Sequence, residues 1–152
     1  MKSEKTGPLS RGIRNNNPLN IRVGNKWQGE VAKNTDGAFE QFTDVKWGIR
    51  AAILILWRYV NKHRLRTVYD IIKRWAPPEE NSTWNYQTAV NQLISKKLGY
   101  RYWGDVSWDK GCIYLLLWAM CKIESYYELE WAMFEEAWDL AAQTNPRVNA
   151  GL

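Results

Sequence analysis

The sequence is poor in residues that bind transition metals, with one histidine and two cysteines among 152 residues. Structural zinc sites usually take four Cys or His ligands, and His63, Cys112 and Cys121 supply only three. We therefore predict no metal and no cofactor, which argues against zinc peptidases and zinc amidases. The two cysteines lie about 13 Å apart on one predicted helix, which is too far for a disulfide. A helix start permits a nucleophilic Cys112, although an apolar helix favours a buried and inert thiol.

The sequence also lacks long hydrophobic runs. The longest apolar stretches, residues 51–57 and 113–121, are shorter than the roughly 20 residues needed to cross a bilayer. The first residues, 1–10, are polar and lack the apolar core of a secretory signal. We expect synthesis in the cytoplasm, with neither a signal peptide nor a transmembrane segment.

Basic residues exceed acidic residues, with 21 Lys and Arg against 16 Asp and Glu and a net charge of +5. Such a surplus attracts polyanions, which include nucleic acids and the anionic polymers of a bacterial envelope. The longest basic cluster, residues 62–66, is typical of a solvated helix end, and no nucleic-acid-binding motif accompanies it. We predict that nucleic acid is not a partner.

Aromatic residues are abundant, with 10 Trp, 8 Tyr and 3 Phe. This content excludes intrinsic disorder. Helical periodicity predicts core positions for Trp57, Trp118 and Trp138. Tryptophans beside predicted loops have faces that can stack on sugar rings. These are Trp27, Trp84, Trp103 and Trp108.

The chain length fits one domain. Consecutive Asn residues and Pro18 predict a packed loop over residues 11–22. Short extended pieces around the Asp36-Gly37 turn predict a small N-terminal β lobe within residues 20–42. We predict a flexible lead, one domain and a C-terminal tail, over residues 1–10, 11–145 and 146–152.

Helical periodicity begins at Thr43 and continues through the rest of the chain. Capping residues and breakers divide it into about five helices. Their predicted ranges are 43–62, 67–76, 82–99, 108–123 and 130–143. The fourth helix is apolar nearly all round and is predicted to be the buried central helix. The predicted fold is α+β and mainly helical, and we expect a monomer.

Glu124 directly follows the most apolar segment of the chain. Partial burial of a carboxyl group raises its pKa and equips it to donate a proton near neutral pH, as cleavage of a glycosidic bond requires. The alternative is that Glu124 begins the solvated stretch after a core helix. Glycoside hydrolysis usually needs a second carboxylate, and Glu30, Asp36 and Glu40 are the candidates in the predicted β lobe. Asp36 sits at a turn, where aspartates usually serve backbone geometry.

A series of motifs appears in an order that resembles a known protein family. The motifs lie in residues 11–22, 27–29, 37–42, 47–51 and 74–83. Together they resemble a family of small proteins from phages, prophages and host-associated bacteria, over roughly residues 11–126. The resemblance implies a phage-type protein, often described only as structural.

A more distant resemblance is to bacterial glucosaminidases of the lysozyme-like superfamily. Those enzymes have a catalytic helix ending in Glu-Ser, followed by an Asn-rich segment, a Trp-x-Gly and a hairpin. Here the later pieces come first, in residues 16–22, 27–29 and 34–42, and Glu124-Ser125 comes last. The resemblance implies a circularly permuted lysozyme-like domain in which the end of the catalytic helix packs beside the N-terminal loop.

This resemblance also implies roles for individual residues. It implies that Glu124 is the general acid and that Asp36 is a candidate second carboxylate. The predicted substrate-binding residues come from the Asn-rich segment and from the tryptophans beside loops. They are Asn17, Asn20, Trp27, Trp84 and Trp103.

The function predicted from the sequence is cleavage of the glycan strand of bacterial peptidoglycan, as a muramidase, a glucosaminidase or a lytic transglycosylase. Water and an internal muramic acid hydroxyl both remain open as the attacking group. The protein would act at the cell wall after release or injection, or as part of a phage particle. One alternative is a non-catalytic phage structural or wall-binding protein of lysozyme-like fold. Another is a protein that binds host polyanions through its basic surface.

Overall fold

The computed structural model describes residues 9–76 and 82–150. These residues form six α-helices and one short 3-10 helix near the C-terminus. The α-helices are α1 (Arg11–Arg14), α2 (Val45–Asn61), α3 (Val68–Trp75), α4 (Thr83–Leu98), α5 (Lys110–Ser125) and α6 (Trp131–Thr144). The 3-10 helix is Pro146–Asn149. None of the described helices is long and apolar enough to span a membrane.

The prediction of an α+β fold with an N-terminal β lobe was wrong. Residues 15–44 form turns and bends, and the described residues contain isolated bridges but no β-strand. The bridges in this region pair Arg22 with Phe39 and Glu30 with Phe42. The described part of the chain is therefore a helical fold with an irregular N-terminal segment packed against it.

Asparagine side chains bond to backbone carbonyls in this segment, alongside a few backbone hydrogen bonds that cross it. The Asn17 amide donates to the carbonyls of Ile21 and Glu40 at 2.9 and 3.0 Å, and the Asn16 amide donates to the carbonyl of Phe42 at 2.9 Å. Side-chain amides that satisfy backbone carbonyls compete with regular secondary structure. The hairpin signal thus predicted the chain reversal correctly and the sheet incorrectly.

Side-chain caps define most helix starts. Asp44 accepts from the Lys46 backbone N–H at the start of α2, and Thr67 and Ser82 cap α3 and α4 in the same way. Helix α5 begins after its capping residue Asp109, two residues later than the predicted start at residue 108, for which Ser107 would be the cap. Helix α1 replaces part of the predicted loop, because the Ser10 hydroxyl accepts from the Ile13 N–H and caps one helical turn. The predicted end of α3 at Pro77-Pro78 lies outside the described residues.

Much of helix α5 is buried, as its apolar sequence predicted. Helix α2 packs against α6, α4 packs against both α3 and α5, and α1 packs near the end of α5. The residues of α5 from Leu116 to Cys121 are all buried. The core predictions for Trp57, Trp118 and Trp138 are confirmed, since all three are buried.

The packed part of the chain includes residues 146–149, which lie in the predicted C-terminal tail, 146–152. Val148 is fully buried in the 3-10 helix. The indole N–H of Trp108 donates to the Val148 carbonyl at 2.9 Å, and that of Trp138 donates to Asn149 at 2.7 Å. The two indoles stack with their centroids 5.3 Å apart. Residues 146–149 therefore close the core around these rings.

Candidate functional site

The N-terminal segment is bonded to the end of α5. The Ser125 hydroxyl donates to the Pro18 carbonyl at 2.8 Å, and the Ser10 hydroxyl donates to the Ser125 carbonyl at 2.9 Å. Gly12 permits this approach, because a Cβ at that position would lie 1.9 Å from Ser125 Oγ. The structure thus brings Glu124 beside the Asn-rich turn, although more than 100 residues separate them in the sequence.

Asn20 and Tyr86 hold the Glu124 carboxyl group. Asn20 Nδ2 donates to Glu124 Oε1 at 3.0 Å, and the Tyr86 hydroxyl donates to Oε2 at 2.9 Å. Burial raises the pKa of Glu124, and these two hydrogen bonds oppose that rise. Tyr86 itself is buried, and burial together with the nearby Glu124 charge raises its pKa well above the ordinary value. Glu124 is therefore an oriented carboxyl group whose pKa is raised by burial.

Asn20 is placed by unusual backbone geometry. Its φ is 54°, in the left-handed region that asparagine tolerates better than most residues. Asn17 supports the turn, because its Oδ1 accepts from the Ile21 N–H at 3.0 Å while its amide donates to two carbonyls. Asn20 therefore contacts Glu124, whereas Asn17 is buried with its polar atoms engaged and positions the turn.

Glu124 opens into a cleft of about 900 Å³, within the usual range for ligand-binding sites. The cleft lies between the N-terminal segment and the C-terminal ends of α2 and α3. Its lining residues are Asn20, Ile21, Arg22, Asn25, Lys26, Trp27, Phe39, Ile55, Arg58, Tyr59, His63, Arg74, Trp75, Ala76 and Glu124. Among these described residues Glu124 is the one carboxylate.

Asp36 does not line the cleft. Its carboxylate accepts two hydrogen bonds from the Arg11 guanidinium, at 2.6 and 2.8 Å, and one from the Asn15 amide at 3.0 Å. It also accepts from the backbone N–H groups of Ala38 and Phe39. These contacts hold the pKa of Asp36 well below its usual range, with the Arg11 hydrogen bond as the largest cause. Asp36 closes the turn and ties it to α1, so its geometry does not suit a second catalytic carboxylate.

The other candidate carboxylates also lie outside the lining of the cleft. Glu40 is buried, and burial together with the nearby Glu30 charge raises its pKa. The Glu30 carboxylate accepts from the backbone N–H of Trp27 and supports the turn that carries this tryptophan.

The three tryptophans predicted to bind sugar lie in different places. Trp27 lines the cleft, and its indole Nε1 is buried without a hydrogen-bond partner. Trp84 and Trp103 do not line it; they are 66% and 71% exposed, and the Arg101 guanidinium lies 4.0 Å from the Trp103 ring centroid. The structure therefore brings only Trp27 together with Glu124 and Asn20.

One side of the cleft is an aromatic and basic wall, which comes from α2, the residues just after α2, and α3. The wall consists of Arg58, Tyr59, His63, Arg74 and Trp75. The Tyr59 ring contacts the rings of His63 and Trp75 edge-on, with centroids 6.3 and 6.2 Å apart. The Arg74 guanidinium lies 5.4 Å from the Tyr59 ring centroid. Burial raises the pKa of Tyr59, so its hydroxyl remains protonated at neutral pH.

Sequence reasoning missed this wall and Tyr86. Tyr59 and Trp75 were available from the sequence as aromatic residues near basic ones. Their convergence depends on how α2 and α3 pack, which periodicity does not specify. Tyr86 lies in the predicted helix 82–99 and is buried, but no local signal pointed its hydroxyl toward Glu124.

Cys112 has no features of a nucleophile. Burial raises its pKa, which disfavours the thiolate. Both cysteines are free thiols. Within the described ranges, no group of His, Cys, Asp and Glu side chains is arranged to hold a metal ion.

Comparison with known proteins gives one similarity to a phage protein. The chain is 48% identical over 85 residues to "Protein P5" of Pseudoalteromonas phage PM2. The match covers 53% of this chain and 53% of Protein P5, so the chain spans about half the length of that relative. No protein-family model matches the chain. The similarity supports the phage part of the resemblance seen in the sequence.

Proposed function

We propose that this protein cleaves the glycan strand of bacterial peptidoglycan, with Glu124 as the general acid. The observation that carries the proposal is a partly buried carboxyl group of raised pKa, held at both oxygens, that lines a cleft of about 900 Å³. A raised pKa favours the protonated form of the carboxyl group, which donation to a glycosidic oxygen requires.

Two further features support a sugar as the ligand. Trp27 offers an aromatic surface within the cleft. Asn20 also lines the cleft, and its buried Oδ1 has no hydrogen-bond partner in the structure. This oxygen can accept a hydrogen bond from a substrate hydroxyl or amide. The distant resemblance to lysozyme-like glucosaminidases places a glutamate of this kind beside an Asn-rich segment. The similarity to a phage protein fits an enzyme that breaches a bacterial wall.

The reaction begins when protonated Glu124 donates its proton to the bridging glycosidic oxygen and the bond to the anomeric carbon breaks. The resulting carboxylate then removes a proton from the attacking hydroxyl, which belongs to water or to C6 of the same muramic acid. Internal attack needs one carboxylate, whereas hydrolysis usually needs two. Since Glu124 is the one carboxylate among the described lining residues, we favour internal attack, the lytic transglycosylase route.

A non-catalytic wall-binding role is the second candidate, and one observation favours it. Asn20 and Tyr86 both donate to the Glu124 carboxylate, and donors to a carboxylate stabilise its ionised form. An ionised Glu124 would bind a substrate hydroxyl without cleaving the strand. On this account the protein is a wall-binding component of a phage particle.

The test uses purified wild-type protein, Glu124→Gln and a matched control, Glu130→Gln. Glu130 is exposed at the start of α6 and makes no capping hydrogen bond. Each protein is incubated with bacterial sacculi, and mass spectrometry identifies the released muropeptides. We expect release by the wild type and by Glu130→Gln, and a loss of at least about 100-fold for Glu124→Gln.

The products also identify the attacking group. Internal attack leaves 1,6-anhydro ends, whereas hydrolysis leaves reducing ends. No release by the wild type would favour the wall-binding role, and equal release by Glu124→Gln would remove this residue from the mechanism.

A further inference from the structure

The charge of the cleft is strongly asymmetric. Its lining includes the cations Lys26, Arg58 and Arg74, together with His63. Glu124 is the one lining carboxylate among the described residues. A neutral glycan such as chitin offers no partner for this many cations, so the cleft has a charge suited to an anionic ligand.

Two of these cations, Arg58 and Arg74, line the cleft and have no ion pair with any residue of the described ranges. Arg58 is exposed on α2, and Arg74 is exposed on α3, where its guanidinium lies over Tyr59. No carboxylate among the described residues forms an ion pair with either. A guanidinium offers paired donors that match a carboxylate or a phosphate. Like charges gathered at one surface repel each other, and a bound anion relieves that repulsion.

We infer that Arg58 and Arg74 bind the carboxylates of the peptide stems that peptidoglycan carries. The inference rests on the proposed function. It adds that the cleft recognises the peptide stems of the substrate as well as its glycan strand. The two arginines and Glu124 line one cleft, so a single ligand spans the arginines and the carboxyl group. In peptidoglycan the stem begins on the lactyl group of muramic acid, next to the glycosidic bonds, and carries free carboxylates. Phosphates of teichoic acids are the other possible source of an anion, but they are not part of the strand being cut.

The test measures binding, so that it does not depend on cleavage. All variants carry Glu124→Gln, and co-sedimentation measures their affinity for sacculi of a Gram-negative bacterium, which contain no teichoic acid. One batch of sacculi is coupled to ethanolamine with a carbodiimide, which neutralises the carboxylates and leaves the glycan intact. A mock-treated batch is the substrate control.

The variant pair is Arg58→Gln with Arg74→Gln, and the matched control pair is Lys62→Gln with Lys73→Gln. Lys62 and Lys73 are exposed at the ends of the same two helices and do not line the cleft, so both pairs lower the net charge equally. Thermal melts establish that both pairs fold.

We expect the arginine pair to lose about tenfold in affinity for untreated sacculi, the size expected for two exposed charged contacts. We expect the lysine pair to change by less than about twofold, and amidated sacculi to bind all variants equally weakly. An equal loss in both pairs, or undiminished binding to amidated sacculi, would overturn the inference. Strong arginine-dependent binding to amidated walls that retain teichoic acid would assign the site to phosphate instead.

Cleavage by the wild type is measured separately on untreated sacculi. Absent cleavage with arginine-dependent binding would refute the proposed function and leave the carboxylate site standing. Normal cleavage together with binding that does not depend on the arginines would refute the carboxylate site and leave the proposed function standing.

Discussion

Glu124 and Asp36 show how environment separates two carboxylates of one protein. Glu124 is partly buried at the end of an apolar helix, and this burial raises its pKa. Asp36 contacts Arg11 directly, and its pKa is held low. A carboxylate held ionised by a bidentate arginine cannot donate a proton near neutral pH, so the chemistry we propose depends on Glu124.

We predict that Glu124→Gln stabilises the protein at pH 7. A carboxyl group whose pKa is raised by folding favours the folded state fully below its ordinary pKa, near 4.3, and loses that contribution as the pH rises through the raised pKa. Glutamine avoids the desolvation of a charge. Urea denaturation of both proteins at pH 7 and near pH 4 should show a stability difference that favours glutamine and shrinks on acidification.

The exposed Glu130→Gln variant is the control for this measurement, and we expect little pH-dependent difference from the wild type. A Glu124→Gln advantage that is absent at pH 7, or that stays the same at both pH values, would show that burial does not perturb this carboxyl group.

At the scale of elements, the site depends on how closely the Asn-rich turn approaches α2. Gly48 lies inside α2, and a Cβ at this position would lie 2.4 Å from the Asn16 carbonyl oxygen. Alanine normally favours a helix over glycine by about 1 kcal/mol. Here the backbone contact reverses that preference, because Asn16 is held by its own hydrogen bond to Phe42.

We therefore predict that Gly48→Ala lowers the free energy of unfolding by about 1–3 kcal/mol, as overpacking does. The turn that carries Asn20 would shift as well, so we expect sacculus cleavage to fall. The control is Gly111→Ala in α5, where the nearest atom to a new Cβ, Asp109 Oδ2, is 3.4 Å away. Chemical denaturation that shows no difference between the two variants would refute the close approach.

The 3-10 helix gives a second prediction at this scale. Val148 is fully buried against the body, and Val148→Ala should cost about 1–3 kcal/mol of unfolding free energy through lost burial and a small cavity. Val23 is 42% exposed in the N-terminal segment, so Val23→Ala should change stability by less than about 0.5 kcal/mol. Equal effects in a denaturant titration would mean that residues 146–149 behave as a tail.

The helical elements were readable from the sequence because their signals are local. Asp44, Thr67 and Ser82 are capping residues directly before periodic apolar positions, and each caps the predicted helix. The start of α5 was misplaced because Ser107 and Asp109 are both good caps in the same stretch. The β lobe failed for a different reason: the short apolar alternation specifies a chain reversal, but only isolated bridges form across it, and asparagine side chains add hydrogen bonds to carbonyls of the same segment.

The site was only partly predictable, because the sequence carries local signals but does not specify contacts between distant residues. Glu124 was found because the apolar run before it is a local signal of burial. Tyr86 and Asn20 bond to it across 38 and 104 residues, and such contacts depend on packing that periodicity does not encode. Asp36 matched the expected chemistry by residue type, but its place at a turn already favoured a role in backbone geometry, and its contacts with Arg11 and with two backbone N–H groups show that role.

At the scale of the whole molecule, the net charge of +5 and the cationic cleft act in the same direction. On the proposed function, the overall charge would draw the protein to an anionic wall over distances comparable to the Debye length, and the cleft cations would act at contact. Both effects weaken as salt shortens that length, from about 10 Å at 0.1 M to about 3 Å at 1 M.

We predict that raising the salt concentration over this range lowers the affinity of the protein for Gram-negative sacculi by about tenfold. Long-range attraction is screened first, so the Lys62→Gln, Lys73→Gln control pair should lose nearly as much as the wild type. The arginine pair should lose less, because part of its salt-sensitive contact is already gone. Co-sedimentation at several salt concentrations measures the three slopes. A salt-independent affinity would show that stacking and hydrogen bonds dominate wall binding, and that the positive charge of the cleft serves another purpose.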